Sequence, residues 1–552
     1  MTYAAGLLGY RASNMPPERV ADALKRAPWR GAVTASATAP HGAIHALGSA
    51  CLAHHRHVAV AFHGRIDNLP DLRRKTDLRD GSTGQVVAAT YLHFGPNFAE
   101  HLLGDFAILV LDEREHIVLG ARDWVGTRPL FAGHHGDVVA FGSEVKQVLA
   151  LLSQAYQPDE DTLAAYARME AAAFSATFAA GVAAVPPNGQ TVAAVGRPVA
   201  NSRRPVRFTP VDLSLPEAAN AVRVHLETAV ARRVAGAGGL GALVSGGMDS
   251  TAVAATAAKL ASRGAGPPVI ASFTTAYPEV PEIDETAYAR AVAARWDIPW
   301  HPVVINPSDL LAWPDRGFVA HDGPTFPGFG MYDKLMTAAQ SAGVDTLLTG
   351  DVGDFWIRQD GRELEMAILR GDRRAILQWS FAGFHHHPRH MVLQGVRALA
   401  KRLLRKTRAE SYYEGRTTDY WLRFSLESEE REGMRHGLRV EHPFCDRELA
   451  SLLAGLPPRV RSSPRTPLKL ITREAMIGLL PEEVRIRPDN PVSNPFFVQA
   501  LASSCREGQS IDLDDALYQA ARLYIAAWRR ITSGSTPSFP QSDPAHARIA
   551  VM

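Results

Sequence analysis

The chain reads Leu243-Val244-Ser245-Gly246-Gly247-Met248-Asp249-Ser250, between an apolar run at 241–244 and an Ala-rich segment at 251–262. The apolar run has the length of a short buried strand, and the Ala-rich segment favours an α-helix. A strand, a Gly-rich turn and a helix in this order begin a parallel α/β unit. This stretch therefore predicts a parallel sheet in this part of the chain.

The same alternation continues along the chain. Further strands are predicted at 269–274, 300–305 and 346–349, and helices at 215–233, 285–296 and 331–342. Residues 359–439 are predicted to be mostly helical. The pattern indicates a doubly wound parallel sheet with extra helices. Such α/β sheets bind ligands in the loops at the carboxyl ends of their strands.

The first 150 residues differ, because short strands there alternate with turns. Strands at 58–62, 104–112 and 116–120 predict an antiparallel, α+β domain. Residues 196–213 hold three prolines and show no periodicity, as an interdomain linker would. We predict a first domain at 1–207, a second at 208–532 and a mobile Ser/Pro-rich tail at 533–552.

The composition is that of an ordinary globular protein. Apolar residues make up 46% and charged residues 21% of the 552, which excludes disordered and collagen-like chains. Lys and Arg total 59 against 57 Asp and Glu, so the chain lacks the large positive net charge that attracts nucleic acid non-specifically. No run of about 18 apolar residues predicts a membrane span. Cys51, Cys445 and Cys505 lack metal or disulfide spacing, which favours a cytoplasmic protein with buried or incidental thiols.

The turn at 245–250 has the chemistry of a phosphate-binding loop. Gly246 and Gly247 permit close backbone approach, and the following helix adds its positive end. Ser245 and Ser250 can donate hydroxyls to a pyrophosphate, while Asp249 is suited to hold Mg²⁺. The loop differs from a Walker loop, because Gly-Lys-Ser/Thr is missing. The alternative is an ordinary Gly-rich turn.

Two later segments carry matching chemistry. The strand predicted at 346–349 ends in Gly350, Asp351 and Asp354, which places carboxylates at the same sheet edge. Asp354 could otherwise be only a helix cap. Lys469, at the start of a later predicted helix, could reach a departing pyrophosphate, or it could be a solvated helix lysine.

These motifs, in this order, resemble the synthetase domain of the asparagine synthetase family. The resemblance implies an ATP-pyrophosphatase domain that forms acyl-adenylates, with ATP and Mg²⁺ as cofactors. It implies Mg²⁺ on Asp249 and Asp354, Lys469 as a catalytic cation, and Asp351 at the position of a general base. The expected ATP and pyrophosphate contacts are Leu243, Val244, Ser245, Gly246, Gly247, Asp249, Ser250, Ser272, Phe273, Thr274 and Gly350.

The first half resembles the class II glutamine amidotransferase domain of that family at 62–68, 104–107 and 121–130. The resemblance implies an αββα sandwich. In that family the nucleophile is a cysteine at the mature N-terminus, but this chain begins Met1-Thr2-Tyr3. Thr2 is an unusual alternative nucleophile, so we expect a retained scaffold and a substrate that brings its own amine.

Two branches that resemble this architecture lack the cysteine: β-lactam synthetases and lasso peptide cyclases. We favour the cyclases, which join a peptide's N-terminal amine to an Asp or Glu side chain. Phe355 and Trp356 replace an acid after Asp354 and would suit a bulky peptide. The basic segment 370–408 could hold a peptide or a partner, or be a solvated helix face. The implied partners are a precursor core peptide and, as candidates, a leader peptidase and a leader-recognition protein.

Other functions are open from the sequence. An enzyme that adenylates a base in RNA is disfavoured by the neutral charge and by the resemblance of the first half. A non-catalytic scaffold that binds a nucleotide or peptide is the second alternative. Tyr412, Tyr413 and Glu414 could supply a base, although such a stretch is more often a packed loop.

Overall fold

Two six-stranded antiparallel sheets form the N-terminal domain of this computed structural model. The structure describes residues 3–168, 176–306, 330–358, 362–386, 408–463 and 468–487, with 170, 309, 322–323 and 399–400 between them. The first sheet has the order β10-β8-β9-β1-β3-β2, and the second β12-β11-β7-β6-β5-β4. The strands are β1 Ala5–Arg11, β2 Val33–Ala39, β3 Gly42–Gly48, β4 Cys51–His55, β5 Val58–Ile66, β6 Gly104–Asp112, β7 Ile117–Arg122, β8 Phe131–His135, β9 Val138–Gly142, β10 Val182–Ala184, β11 Gly189–Ala194 and β12 Ala200–Arg203.

The two sheets pack face to face with helices on their outer sides. Strand β5 shows why: Ala59 and Ala61 pack between the sheets, whereas Val58 and Val60 pack against helices, since side chains alternate along a strand. The predicted αββα sandwich is confirmed. The helices described are α1 Pro17–Arg26, α2 Leu69–Thr76, α3 Thr83–Phe94, α4 Val145–Leu152 and α5 Glu160–Ala167.

A five-stranded parallel sheet in the order β15-β14-β13-β16-β17 forms the centre of the C-terminal domain. Its strands are β13 Leu240–Leu243, β14 Val269–Ala276, β15 Trp300–Val304, β16 Thr346–Leu348 and β17 Arg439–Glu441. The helices are α6 Leu215–Val234, α7 Met248–Ser262, α8 Thr286–Arg295, α9 Gly330–Ser341, α10 Gly353–Ile357, α11 Glu363–Arg370, α12 Arg373–His386, α13 Ser411–Arg416, α14 Tyr420–Arg435, α15 Arg447–Gly455, α16 Pro458–Arg461, α17 Leu470–Ala475 and α18 Glu482–Arg485.

The order of the strands creates a crevice next to β13. From β13 the chain moves outward to β14 and β15, and it then returns to place β16 on the other side. The loops that follow β13 and β16 therefore lead away in opposite directions from adjacent strands. In a doubly wound sheet this switch point is where ligands bind.

Some sequence predictions need correction. Residues 200–203, expected to be linker, form β12, which pairs with β11 and extends the second sheet. Strand β17 was not predicted, because three residues with two charges carry little strand pattern. Helix α7 begins at Met248 instead of 251, so Asp249 and Ser250 lie in its first turn. Cys51 is exposed on β4, whereas Cys445 is buried, and Cys505 and the tail 533–552 lie outside the described residues.

Buried ion pairs join the two domains along α14. Arg30 of the first domain donates to both oxygens of Glu430, at 2.7 and 2.9 Å, and also contacts Glu144. Arg431 of α14 forms a second ion pair between the domains, with Glu144 of the first domain at 2.6 Å. Because removing one partner would leave a buried charge uncompensated, these contacts fix the position of α14 between the domains.

In the part of the chain that the structure describes, no helix combines the length and the apolarity that a membrane crossing needs.

Candidate functional site

The loop after β13 is tied to the start of α7 by its own hydroxyls. Ser245 N donates to Ser250 Oγ at 3.0 Å, and the two hydroxyl groups are 2.9 Å apart. Gly246 has a positive φ of 84°, which a glycine adopts without strain. The sequence thus folds into a tight turn that points several backbone N–H groups and the positive end of α7 at one place.

The loop after β16 packs directly against this turn. A Cβ atom on Gly350 would lie 2.2 Å from Ser250 N, and one on Gly353 would lie 2.4 Å from Asp249 Oδ2. Val352 between them has a φ of 74°, a strained value for a β-branched residue. Two glycines and one strained valine therefore bring the acids of the second loop to the first.

Lys469 connects the two loops. Its Nζ lies 2.8 Å from Asp249 Oδ2 and 3.0 Å from Asp354 Oδ1. Burial raises the pKa of Asp249 to about 6, although Lys469 opposes that shift. Burial disfavours the ammonium group, but the two acids outweigh it and raise the pKa of Lys469. Lys469 itself has a positive φ of 56°, so backbone strain also marks this residue.

A cavity of about 430 Å³ opens between the loops. It brings together residues from β13, β14, α7, α9, α14 and the loop after β16. Twelve of the fourteen residues proposed from the sequence are among its lining, which comprises Leu243, Val244, Ser245, Gly247, Asp249, Ser250, Phe273, Thr274, Thr275, Tyr277, Ile283, Glu285, Met331, Tyr332, Leu335, Thr349, Gly350, Asp351, Val352, Asp354, Phe355, Ser425 and Lys469.

Two proposed residues do not line the cavity. Ser272 is fully buried, and its hydroxyl donates to the carbonyl of Pro299 at 3.2 Å. Gly246 turns its carbonyl away, where it accepts from Arg487 at 3.1 Å. Both residues lie behind the cavity wall, next to the lining residues Phe273, Ser245 and Gly247. Arg487 also pairs with Glu285, so this arginine supports the turn without touching the cavity.

Asp351 faces the cavity from the loop after β16. Its carboxyl group is half-buried, and it accepts a hydrogen bond from the hydroxyl of Tyr332 at 3.4 Å. Burial raises the pKa of Asp351, while hydrogen bonds from Glu429 and Tyr332 lower it. Neither Tyr332 nor Glu429 was identified from the sequence. Both lie far from any motif in the chain, on α9 and α14, and only the fold brings them here.

The alternative base at 412–414 lies elsewhere. Glu414 accepts from the backbone N–H of Phe208 at 3.1 Å and pairs with Arg207, so it anchors the interdomain segment. Tyr413 is buried below the guanidinium of Arg461. None of the three residues lines the cavity. Tyr413 and Glu414 contact Arg461 and the interdomain segment, whereas Tyr412 contacts Arg416.

Aromatic and cationic side chains form a rim beside Asp354. The guanidinium of Arg416 lies 5.6 Å from the ring of Phe355 and 4.8 Å from that of Tyr412. The guanidinium of Arg362 also lies over the ring of Tyr412, at 5.3 Å. Cation–π contacts of this kind hold a rim in place while leaving part of its surface accessible. Within the basic segment 370–408, residues 387–398 and 401–407 lie outside the described residues.

Two family models match successive parts of the chain. Residues 221–524 match the family model described as asparagine synthase, and residues 45–200 match that of a glutamine amidotransferase domain. The chain is 24% identical over 481 residues to the glutamine-hydrolyzing asparagine synthetase 3 of Bacillus subtilis, which covers 78% of this chain and 75% of the relative. It is 26% identical over 258 residues to asparagine synthetase 1 of the same organism, covering 46% of this chain.

The second match spans only 40% of that relative's length. Among solved structures, a glutamine PRPP amidotransferase from B. subtilis covers 62% of this chain and 81% of its own, at 14% identity and a TM-score of 0.27. That score is too low to carry an argument. The matches therefore rest on the two family models and on the sequence relatives.

Proposed function

The chain belongs to the asparagine synthase family, and on that premise we propose that it joins a carboxylate to an amine by adenylation, with release of AMP and pyrophosphate. The observation that carries the proposal is the position of Lys469 between Asp249 and Asp354, beside the turn at 245–250. A cation, two acids and a turn rich in N–H groups converge at the switch point of the sheet. That combination suits a triphosphate that loses pyrophosphate.

The proposed roles follow from where each group lies. The backbone of the turn and the N-terminus of α7 would bind the phosphates. Phe273 and Thr274, in the carboxyl half of β14, would form the wall for the adenine of ATP. The substrate carboxylate attacks the α-phosphorus, which forms an acyl-adenylate and expels pyrophosphate. Lys469 offsets the charge that develops on the departing pyrophosphate. Asp351 then accepts a proton from the incoming ammonium group.

Asp249 and Asp354 are the proposed ligands of Mg²⁺. Oδ1 of Asp249 is buried and accepts no hydrogen bond from the described residues, as expected for an oxygen reserved for a metal ion. When bound, Mg²⁺ supplies positive charge to the phosphates of ATP. Carboxylate oxygens are the ligands that this ion prefers, so the two acids fit it.

The amine is proposed to come from the substrate itself. The sequence places one cysteine in the first domain, Cys51, and this thiol is exposed on the edge strand β4. Near the start of β1 the buried side chain of Arg30 donates to the carbonyl of Ala5 at 3.3 Å. The described part of this domain therefore offers no buried thiol for hydrolysing glutamine.

The narrower proposal is macrolactam formation in a ribosomally made peptide, as in lasso peptide cyclases. The rim of Phe355, Tyr412 and Arg416 supports it, because it adds aromatic and cationic surface beside the carboxylate-activating groups. Holding both ends of one peptide in the site would raise the effective molarity of the amine. A precursor core peptide is the proposed substrate, with a leader peptidase and a leader-recognition protein as proposed partners.

Amide formation within a small molecule, as in a β-lactam synthetase, is the alternative. The same adenylating groups would serve it, but the rim would then have no ligand. A non-catalytic scaffold would need none of the strain at Val352 and Lys469. The substrate that is turned over therefore distinguishes macrolactam formation from small-molecule amide formation. Turnover of any substrate distinguishes both from a non-catalytic scaffold.

The test is ATP–pyrophosphate exchange with synthetic peptides, each having a free N-terminus and a single Asp or Glu at a varied position. Exchange that depends on the peptide, followed by a product lighter by one water and resistant to amino-terminal sequencing, is the expected result. Turnover of a carboxyethyl amino acid with no peptide product would favour the small-molecule alternative. Asp249→Asn should lose exchange, whereas Asp71→Asn on the surface of α2 should retain it.

A further inference from the structure

Glu429 is a buried carboxyl group with few hydrogen-bond donors around it. Its side chain is fully buried on α14, and one oxygen accepts a hydrogen bond from Ser425 Oγ at 2.7 Å. The other oxygen, Oε2, meets no N–H or hydroxyl donor among the described residues. His442 Nδ1 lies 3.8 Å away, but burial lowers the pKa of this ring to about 3 and keeps it neutral. An ionised Glu429 would therefore be a buried charge without a cation.

The carboxyl group of Asp351 lies next to that of Glu429. Their side-chain oxygens lie within 4.8 Å of each other. At that separation one carboxyl group can donate to the other only if it is protonated, because an ionised carboxylate only accepts. Burial and the adjacent charge of Asp351 raise the pKa of Glu429 well above its usual range. The hydrogen bonds from Glu429 and Tyr332 act in the opposite direction on Asp351. The proton therefore stays on Glu429 and the negative charge on Asp351.

Only one member of this pair reaches the cavity. Asp351 lines it together with Tyr332 and Ser425, whereas Glu429 lies behind them. We propose that Glu429 is a positioning residue that stays protonated and donates its hydroxyl to Asp351, holding that carboxylate ionised and turned toward the substrate amine. The inference rests on the proposed amide-forming function, which gives Asp351 a proton to accept.

The step that this pair serves moves one proton. The substrate ammonium gives a proton to Asp351, and the lone pair of its nitrogen then attacks the acyl carbon of the adenylate. AMP leaves with the electrons of the broken C–O bond, and the second nitrogen proton passes to solvent. Glu429 keeps its own proton throughout, so a neutral donor of the same shape should replace it.

Helix α14 explains how Glu429 is held in place. Glu427 and Glu430 point to the first domain, where Arg122 and Arg30 bind them at 2.6 and 2.7 Å. Ser425 and Glu429 emerge on another face, since residues four apart share one side of a helix. The arginines of the first domain thus fix the face of α14 that supports Asp351. This gives the domain a role that needs no glutaminase activity.

The first test needs no substrate. Infrared difference spectra of the full-length protein near pH 7.5, wild type minus Glu429→Gln, should show the C=O absorption of a protonated carboxyl group. The matched control is Glu432→Gln on the same helix. Glu432 pairs with Arg435 and His436, so its removal should take away an ionised carboxylate band instead. A carboxylate band lost from Glu429→Gln would overturn the proposal.

The second test uses amide formation with whichever synthetic peptide supports exchange. Glu429→Gln should keep kcat within about threefold, because an amide N–H can replace the acid O–H. Glu429→Met should lower kcat at least about tenfold and move the acidic limb of its pH profile upward, because Asp351 loses a donor. Pyrophosphate exchange should stay within about twofold in both variants.

Equal losses of kcat in the Gln and Met variants, or an acidic limb that does not move in the Met variant, would contradict the positioning role. A wild-type protein that supports no exchange with any substrate would refute the proposed function instead. The infrared comparison would then still decide the protonation of Glu429.

Discussion

Lys469 Nζ lies 2.8 Å from Asp249 Oδ2, although 220 positions of sequence separate the two residues. We expect Lys469→Met to reduce pyrophosphate exchange by about 100-fold or more, because one charge-stabilising donor is worth about that much in a buried site. The measurement is the exchange rate at saturating ATP. The control is Lys259→Met, near the carboxyl end of α7. This change breaks an ion pair with Glu227 of α6 and should leave exchange unchanged. Equal effects of the two variants would contradict the assignment.

The close approach of the two loops predicts that Gly350 tolerates no side chain. In Gly350→Ala the new Cβ would meet the backbone N of Ser250 at 2.2 Å, so the loops must separate. Nucleotide binding, measured by calorimetry, should weaken at least about tenfold, which corresponds to about 1.4 kcal/mol. Gly415→Ala is the matched control, since nothing lies within 4 Å of its Cβ position. An affinity unchanged in Gly350→Ala would show that the loops are not in contact.

Arg30 should carry a large share of the stability of the domain interface. Arg30→Met leaves Glu144 and Glu430 buried without this cation, and removing one partner of a buried pair costs about 3–5 kcal/mol. Chemical denaturation should show this loss. Arg74→Met breaks only an exposed pair with Asp71 and should cost less than about 1 kcal/mol. If both variants lost the same small amount, the interface would not depend on Arg30.

We expect His436 to make the free energy of unfolding decrease as the pH rises above about 6.5. Burial disfavours its charged form, but hydrogen bonds to Asp333 and Glu432 outweigh burial and raise the pKa of His436 to about 9. Because the folded pKa exceeds the ordinary value of 6.5, the charged ring stabilises the fold fully below about pH 6.5. That contribution, on the order of 3 kcal/mol, is lost as the pH rises through about 9. Unfolding of the wild type and His436→Gln across this range measures the effect, and parallel pH profiles would contradict it.

The sequence motifs located the cavity because the residues that touch phosphates lie in short loops next to strands. Glu429 could not be found in this way. It belongs to the run Glu427-Ser428-Glu429-Glu430-Arg431-Glu432, whose composition is typical of a solvated helix face, yet all six residues are buried. Glu427 and Glu430 are paired with Arg122 and Arg30 of the other domain, and a local pattern does not show such distant partners. Strand β17 was missed for a related reason, since Arg439 and Glu441 are charged but paired.

Transfer of oxygen from substrate to AMP tests the adenylation claim most directly. The synthetic peptide that supports exchange is labelled with ¹⁸O in its Asp or Glu carboxylate and incubated with ATP and Mg²⁺. Mass spectrometry then compares the AMP and pyrophosphate that are released. Attack on the α-phosphorus predicts one ¹⁸O in AMP and none in pyrophosphate. Amide formation that leaves AMP unlabelled would contradict the acyl-adenylate, and with it the roles proposed for Lys469 and Asp249.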